Sequence, residues 1–540
     1  MSREEAELRN AINRILVSPS RKKLIATGPG TGKTSLFKQI LEAGDSDNES
    51  RIVLTFIKNL KNDLEERLSC YANVFTLHGF CMGLLHRNSV LRSGLSSQFG
   101  CQPGLATLIR SDWKYIRRSR PPRFVKEMRN INETDSLDFY IDRGNYYGAV
   151  DFDDAVYRVY RNYKDQGDVL GEYDLVLVDE YQDFNRLEAA IIDLLGERSP
   201  IVIAGDDDQA LYSQLRDSSW DYIRMLYNNK EFDVFELPFC LRCPEVVVGA
   251  VNDIITRAQK LGMLQGRIPK PYKYFPPVKG EDSSRYPAIS LVKTSVQRQN
   301  ANYFGRYIAH AISQIPAEEV EEAQASGYPS ALVIAANPYR SQIAAYLEAN
   351  GWQIETKRDS EERLSRSIGL ELLKSDAGSN LGWRIILMGE ADEFVAGIIR
   401  ASADGSPLTG CLPPDYRERL LAEVAVWEQE SPNDKHPTRK EDDSEHPYVM
   451  VTSFEGAKGL SAQYVFISGL HNGDIPRDPN DIKDMEICRF LVGLTRTRKQ
   501  CNLIHTSRFA GQRKQRSAFV SWIHPDRLAD TMVNARYWSH

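Results

Sequence analysis

Two short apolar runs, LVLV at residues 175–178 and IVIA at residues 201–204, each stop on a cluster of carboxylates. The first leads into VDEYQD, residues 178–183, and the second into AGDDDQALY, residues 204–212. Buried parallel strands read as continuous apolar runs of this kind, and in open α/β sheets ligands sit at the carboxyl ends of such strands. An Asp-Glu pair placed there suits a magnesium ion and an attacking water. Either run alone reads equally as an acidic loop after a strand, so a chemical reading needs a phosphate cradle upstream.

That cradle stands at residues 24–35, LIATGPGTGKTS. An apolar strand runs into Gly28, Gly30, Thr31 and Gly32, and glycine tolerates the positive φ and close approach that let backbone amides converge on phosphate oxygens. Lys33 would reach the β- and γ-phosphates and Thr34 would hold magnesium. A helix opening at Ser35 adds its positive N-terminal end. The usual pattern starts with a glycine five residues before Gly32; Thr27 stands there, and the remaining glycines keep the loop pliable. An incidental glycine-rich turn is the alternative, disfavoured by the Lys-Thr pair and the acidic strand ends downstream.

A chain of 540 residues has room for three or four domains with large cores, and its charged and apolar fractions are ordinary for a soluble globular protein. The net charge of −6 means that any nucleic-acid surface is a local basic stripe, not a whole-chain property. No apolar run approaches the ~20 residues of a membrane span. The polar start MSREEAELRN is no signal peptide. A cytoplasmic protein without membrane contact is expected. Of eight cysteines only Cys240 and Cys243 form a CxxC, with no second pair at zinc-site spacing, so reduced thiols and no structural metal are expected.

Strand-like runs at residues 52–55, 175–178, 201–204, 331–335, 449–453 and 464–468 alternate with helical segments, the pattern of α/β domains with parallel sheets. The last three lie far from the cradle and imply a second α/β domain. Polar stretches at 279–286, 317–330 and 430–447 punctuate the chain, the last reading as a linker or exposed loop.

The order of motifs resembles the UvrD/Rep group of superfamily 1 DNA helicases. TGPGTGKT is followed by LTFIKNL (54–60), TLHGFC (76–81), DFDD (151–154), DEYQD and GDDDQALY, then LPFCLRCP (237–244), SFEGAKGLSAQYVF (453–466) and EICRFLVGLTRTR (486–498). The resemblance implies two RecA-like P-loop domains clamping ATP and Mg²⁺: 1A, residues 1–86 and 151–235, and 2A, residues 236–366 and 448–540. Each carries a short insertion, 1B at 87–150 and 2B at 367–447.

Carried onto this chain, the family's roles give Lys33 and its neighbours Gly28, Gly30, Thr31, Gly32, Thr34 and Ser35 to the nucleotide, and Thr34 with Asp179 to magnesium. Glu180 would polarise the attacking water, Gln209 would sense the γ-phosphate, and Arg242 and Arg496 would reach the nucleotide from 2A. Phosphoryl transfer needs positioning and charge neutralisation more than covalent help. Thr55, Phe56, His78 and Tyr212 fall in strand-contacting segments, although His78 also reads as a core-satisfied histidine. Of Asp206, Asp207 and Asp208, one is expected to orient its loop and the others to be solvated.

Four positions depart from the family. Ile12 stands where a glutamine reads adenine, Leu241 where a tyrosine stacks on the base, and Ser461 where a glutamate contacts the sugar. Relaxed nucleobase preference is the expected result. Gln214 replaces an aromatic that stacks on a DNA base, with Tyr212 or Trp220 as substitutes; weak stand-alone unwinding follows. In the 1B segment, residues 110–129 carry eight Lys or Arg against two acids, interleaved with Trp113, Tyr115 and Phe124. The stretch, Arg117 and Arg118 included, reads either as a strand or duplex contact or as a solvated basic helix with its aromatics in the core. A second basic cluster, Arg508, Arg513, Lys514 and Arg516, reads as a solvated face. Two functions fit: an ATP-driven 3′–5′ translocase on single-stranded or tailed duplex DNA, or an NTP-switched DNA-binding subunit serving a separate nuclease or effector.

Overall fold

The computed structural model describes residues 1–44, 48–56, 58–92, 94–166, 170–212, 216–294, 303–356, 364–427 and 447–538. Every apolar run expected to be a strand forms one. The first sheet comprises β1 (Lys22–Thr27), β2 (Arg51–Thr55), β3 (Asn73–Thr76), β4 (Leu175–Val178), β5 (Ile201–Gly205) and β6 (Asp233–Leu237). Its spatial order is β3-β2-β4-β5-β1-β6, and every neighbouring pair is parallel. β5 therefore lies between β4 and β1, so the two acidic strand ends and the cradle emerge side by side on one edge. The central strands are apolar on both faces because helices cover both.

The second sheet comprises β7 (Ile289–Thr294), β8 (Ala331–Ala335), β9 (Ile354–Thr356), β10 (Val449–Thr452), β11 (Ala462–Ser468), β12 (Thr497–Thr506) and β13 (Leu528–Val533). Its order is β9-β10-β8-β11-β12-β7-β13, again all parallel. The molecule is thus α/β, with two parallel sheets of the RecA-like P-loop kind. Two of the polar stretches are ordered elements: Pro276–Arg285 and Ala317–Ala325 are helices. A proline start favours the first. Its buried Lys279 is satisfied by Asp282 at 2.7 Å and by the Arg498 carbonyl at 3.0 Å. Of the third stretch, residues 430–446 lie outside the described residues, as does Gln214.

Helices interrupt each sheet: Leu105–Arg117, Phe124–Arg129 and Asp135–Tyr147 between β3 and β4, and five helices from Arg366–Ser375 to Pro414–Val426 between β9 and β10. These two helical groups share one apolar cluster with the first sheet, with Trp383 fully buried in it. At their seam Asp112 receives Arg384 at 2.8 Å on one oxygen and Arg143 at 2.9 Å on the other, and Tyr147 donates to the second oxygen as well. Around that buried core Tyr115 donates to Asp392 at 2.8 Å and Tyr146 to the Ser406 carbonyl at 2.7 Å. No helix among the described residues is long and apolar enough to cross a membrane.

Candidate functional site

The cradle is a tight loop between β1 and a helix over Lys33–Glu42, which begins two residues before the expected Ser35. Gly30 and Gly32 take φ of 71° and 88°, a region that side chains disfavour. Thr27 is an ordinary strand residue paired with Leu237, which explains why the missing first glycine costs nothing. Thr31 donates to the Gly28 carbonyl at 3.1 Å and closes the loop. Thr34 lies half-buried at the helix start, and Ser35 is exposed one residue later.

β4 delivers Asp179 and Glu180 beside Lys33. The Lys33 ammonium lies 2.6 Å from Glu180 Oε1 and 3.9 Å from Asp179 Oδ1. Burial opposes the lysine's charge, but Glu180 and Asp179 outweigh it and raise its pKa. Burial also works against Glu180, yet Lys33 and Lys458 hold its carboxyl well below the usual range. Asp179 lacks so close a cation, and burial pushes it up to about 6. The divergence follows from the geometry: the lysine sits on Glu180.

Three cations close the site: Lys458 and Arg496 beside strands of the second sheet, and Arg242 just after Phe239–Cys240, which pair with Lys273–Tyr274 in a separate two-stranded sheet. Lys458, in the loop after β10, lies 2.5 Å from Asp183 and 3.7 Å from Glu180, and donates to the Gln209 carbonyl at 2.6 Å. Arg496 donates to Gln209 Oε1 at 2.6 Å, while Gln209 Nε2 donates to Asp206 at 2.8 Å. Arg242 donates to the Thr495 carbonyl at 3.1 Å. Among the described residues, neither Arg242 nor Arg496 has a carboxylate within ion-pair distance. Burial, then the charge of Arg242, bring Arg496 down to about 9. A buried and a half-buried guanidinium, Arg496 and Arg242, held by carbonyls and an amide next to a lysine and a glycine cradle, make a seat for a polyanion.

Three carboxylates, Asp206, Asp207 and Asp208, also converge closely enough to hold an ion. Against expectation all are buried, and Lys270 occupies their focus, 3.0 Å from Asp206 and Asp208 and in contact with Asp207. Arg267 adds a 2.8 Å bond to Asp208 and Arg224 a 3.0 Å bond to Asp207. The ammonium already does what a cation would do there, whereas among the described residues the only cation to approach Asp179, beside the cradle, is Lys33, at 3.9 Å.

Sequence reasoning passed over Lys458, Gln182, Asp183 and Lys270. Gln182 and Asp183 stand inside the block DEYQD and Lys458 inside SFEGAKGLSAQYVF, where their type was a usable signal; Lys270 lies in none. Gln182 spans the two acidic strand ends, donating to Glu180 at 2.6 Å and accepting from the Asp206 amide at 2.9 Å.

The residues expected along a strand are placed differently. Thr55 is fully buried, with no partner for its hydroxyl among the described residues, and Phe56 is buried 5.8 Å from Phe184 and 5.4 Å from Tyr212. His78 is buried with Nε2 3.2 Å from Glu188, and burial lowers it to about 4, a packed core environment. Tyr212 is half-buried and donates to the Glu455 carbonyl of the second sheet's loop at 3.2 Å. Arg117 and Arg118 are exposed, Arg117 lying over Trp113. Trp113 and Phe124 pack against the core and Tyr115 is tied to Asp392, so the aromatics of the basic stretch serve packing. Ser461 accepts from Arg498 at 2.9 Å, and Leu241 lies against Gly32.

Comparison with known proteins points the same way. The AAA domain family matches residues 9–214. The ATP-dependent DNA helicase UvrD2 of Mycobacterium tuberculosis is 27% identical over 430 residues, 72% of this chain and 56% of the relative. DNA helicase II of Haemophilus influenzae is 28% identical over 121 residues, 21% of this chain and 16% of the relative. The ATP-dependent DNA helicase PcrA of Staphylococcus aureus is 20% identical over 274 residues, 43% of this chain and 37% of the relative. Against UvrD2, the chain spans about half of the relative's length.

Proposed function

We propose that the chain is a UvrD/Rep-like member of superfamily 1 and acts as an ATP-driven DNA helicase translocating 3′ to 5′ on single-stranded DNA. The observation that carries the reading is the convergence on one point of groups from both sheets and the segment between them: Lys33, Asp179, Glu180 and Gln209 from the first sheet, Lys458 and Arg496 from the second, and Arg242 from the intervening segment. Residues 1–86 with 151–235 and 236–366 with 448–540 are the two domains, and 87–150 and 367–447 the insertions.

Thr34 and Asp179 would hold magnesium, which would supply charge neutralisation on the phosphates. Lys33 must leave Glu180 for the phosphate, which frees the carboxylate to orient and deprotonate water. Arg242 and Arg496 then neutralise charge developing on the transferred phosphoryl group. Because Arg496 bonds Gln209 across the cleft, phosphate loss and relative movement of the two sheets are mechanically linked. Alternation of the two states moves the chain along one strand.

Base and sugar contacts are a separate matter. Leu241 offers a base an aliphatic face only, and Ser461 is turned to Arg498, so GTP and CTP are turned over within about tenfold of ATP, a difference of ~1.4 kcal/mol. Steady-state rates strictly confined to ATP would refute this. A second reading, an NTP-switched DNA-binding subunit for a separate effector, is favoured by the seam that ties the two insertions together. Unwinding of a tailed duplex beside DNA-stimulated hydrolysis, with Lys33→Ala as control, separates the two. Strand separation supports the motor, hydrolysis without separation supports the switch, and no DNA-stimulated hydrolysis defeats both.

A further inference from the structure

Cys240 and Cys243 flank Arg242 directly beneath the cradle, and both are free, fully buried thiols. Cys240 Sγ accepts from the Cys243 amide at 3.3 Å and from the Tyr272 hydroxyl at 3.2 Å. The Arg242 amide and the Cys243 thiol also point hydrogen bonds at it. A helix over Glu245–Lys260 begins two residues beyond Cys243 and turns its positive end towards the pair. Burial disfavours the Cys240 thiolate, but these donors outweigh it and bring the thiol down to about 6. Burial and the neighbouring Cys240 push Cys243 far up. One sulfur is therefore a nucleophile and the other its protonated neighbour.

The pair is bolted to the site it underlies. Cys243 Sγ lies 3.6 Å from the Thr495 carbonyl, the same acceptor that holds Arg242 at 3.1 Å and immediately precedes Arg496. Leu241, between the cysteines, donates its amide to the Gly30 carbonyl at 2.8 Å. A side-chain carbon on Gly30 would stand 3.3 Å from Cys240 Sγ and 2.7 Å from the Arg242 Cβ.

We propose that Cys240 and Cys243 are a thiol switch on the nucleotide site, closed by a peroxide and reopened by a dithiol. The Cys240 thiolate attacks one oxygen of hydrogen peroxide, breaking the O–O bond and, with a proton, releasing water; Cys240 becomes a sulfenic acid. Cys243 then loses its proton and attacks that sulfur, and the hydroxyl leaves with a proton as a second water. Two thiols and one peroxide give one disulfide and two waters. The new bond draws Cys243 away from the Thr495 carbonyl and turns the two residues between the sulfurs, so Arg242 loses its seat and the Gly30 loop is disturbed. A nucleotide in the cleft bridges cradle and arginines and slows the oxidation.

The switch rests on the nucleotide-site reading, and the test separates the two. Reduced full-length protein is treated with hydrogen peroxide with and without ATP analogue and magnesium, then alkylated, peptide-mapped and assayed for DNA-stimulated ATP hydrolysis. Expected are a mapped Cys240–Cys243 bond, at least tenfold loss of hydrolysis, recovery with dithiothreitol and at least threefold slower bond formation with nucleotide. Cys240→Ser, measured against its own untreated rate, should resist peroxide; should it fail to fold, the mapped bond and nucleotide protection in the wild type decide. Hydrolysis that falls without that bond, or a bond that leaves hydrolysis unchanged, overturns the switch. Reduced protein with no hydrolysis overturns the proposed function, whereas the mapped, nucleotide-protected bond would stand without it.

Discussion

The cleft and the seam between the two helical insertions both bury a cluster of charges, yet they are built to opposite ends. At the seam, Asp112 satisfies Arg143 and Arg384 with its two oxygens, and Tyr147 completes the set. In the cleft, half-buried Arg242 and buried Arg496 have carbonyls and an amide as partners. Lys33 meanwhile leans on a carboxylate whose proposed partner is water. Guanidiniums seated on a carboxylate fix structure; guanidiniums with no carboxylate in ion-pair reach await an anionic ligand. Burial of charge alone does not distinguish them, but the balance of partners does.

The largest test of that contrast is Arg496→Ala. If Arg496 neutralises the transferred phosphoryl group as proposed, its removal should lower kcat by ~10³-fold or more while thermal unfolding changes little. Single-turnover hydrolysis beside a melting curve measures both. Asp112→Ala should do the reverse. It strands Arg143 and Arg384 in the interior at a cost of about 3–5 kcal/mol, seen as a lower Tm, with kcat per folded molecule retained. A fall in kcat comparable to that of Arg496→Ala would erase the distinction.

Nucleotide gives a smaller effect. Magnesium and a non-hydrolysable ATP analogue at about a hundred times Kd should stabilise the protein by ~2.7 kcal/mol. Arg496→Ala should shrink that gain and Asp112→Ala should not. The smallest change is expected at the rim of the seam, where Tyr115→Phe removes one hydrogen bond to Asp392, worth about 0.5–1.5 kcal/mol and here near the lower end because the pair is exposed. Equal losses from Tyr115→Phe and Asp112→Ala would mean that the seam has no privileged centre.

The contrast also marks what was legible in the sequence. The cradle and both acidic strands follow from local pattern, since central parallel strands must be apolar throughout and their ends must carry the chemistry. Their adjacency, β4-β5-β1, and the arrival of Arg242 and Arg496 from outside the first sheet are not local properties. Motif order supplied that part. The seam was invisible because Asp112 sits within a basic run and its partner Arg384 lies in another segment entirely, so nothing in spacing links them. The three aspartates after β5 misled for the same reason: Lys270, which makes their burial tolerable, is remote in sequence. Thr55 and His78 fall in segments that resemble strand-contacting ones, and their neighbours in space, not in sequence, decide that they are buried.

The central claim is that Glu180 serves water activation in a cleft driven by DNA. Steady-state ATP hydrolysis by the full chain, with and without single-stranded DNA, in the wild type and in Glu180→Gln, tests it most directly. The account predicts DNA-stimulated turnover in the wild type and a loss of about 10²- to 10⁴-fold in the variant, with nucleotide still bound. Equal turnover in the two proteins, or wild-type hydrolysis indifferent to DNA, would contradict it.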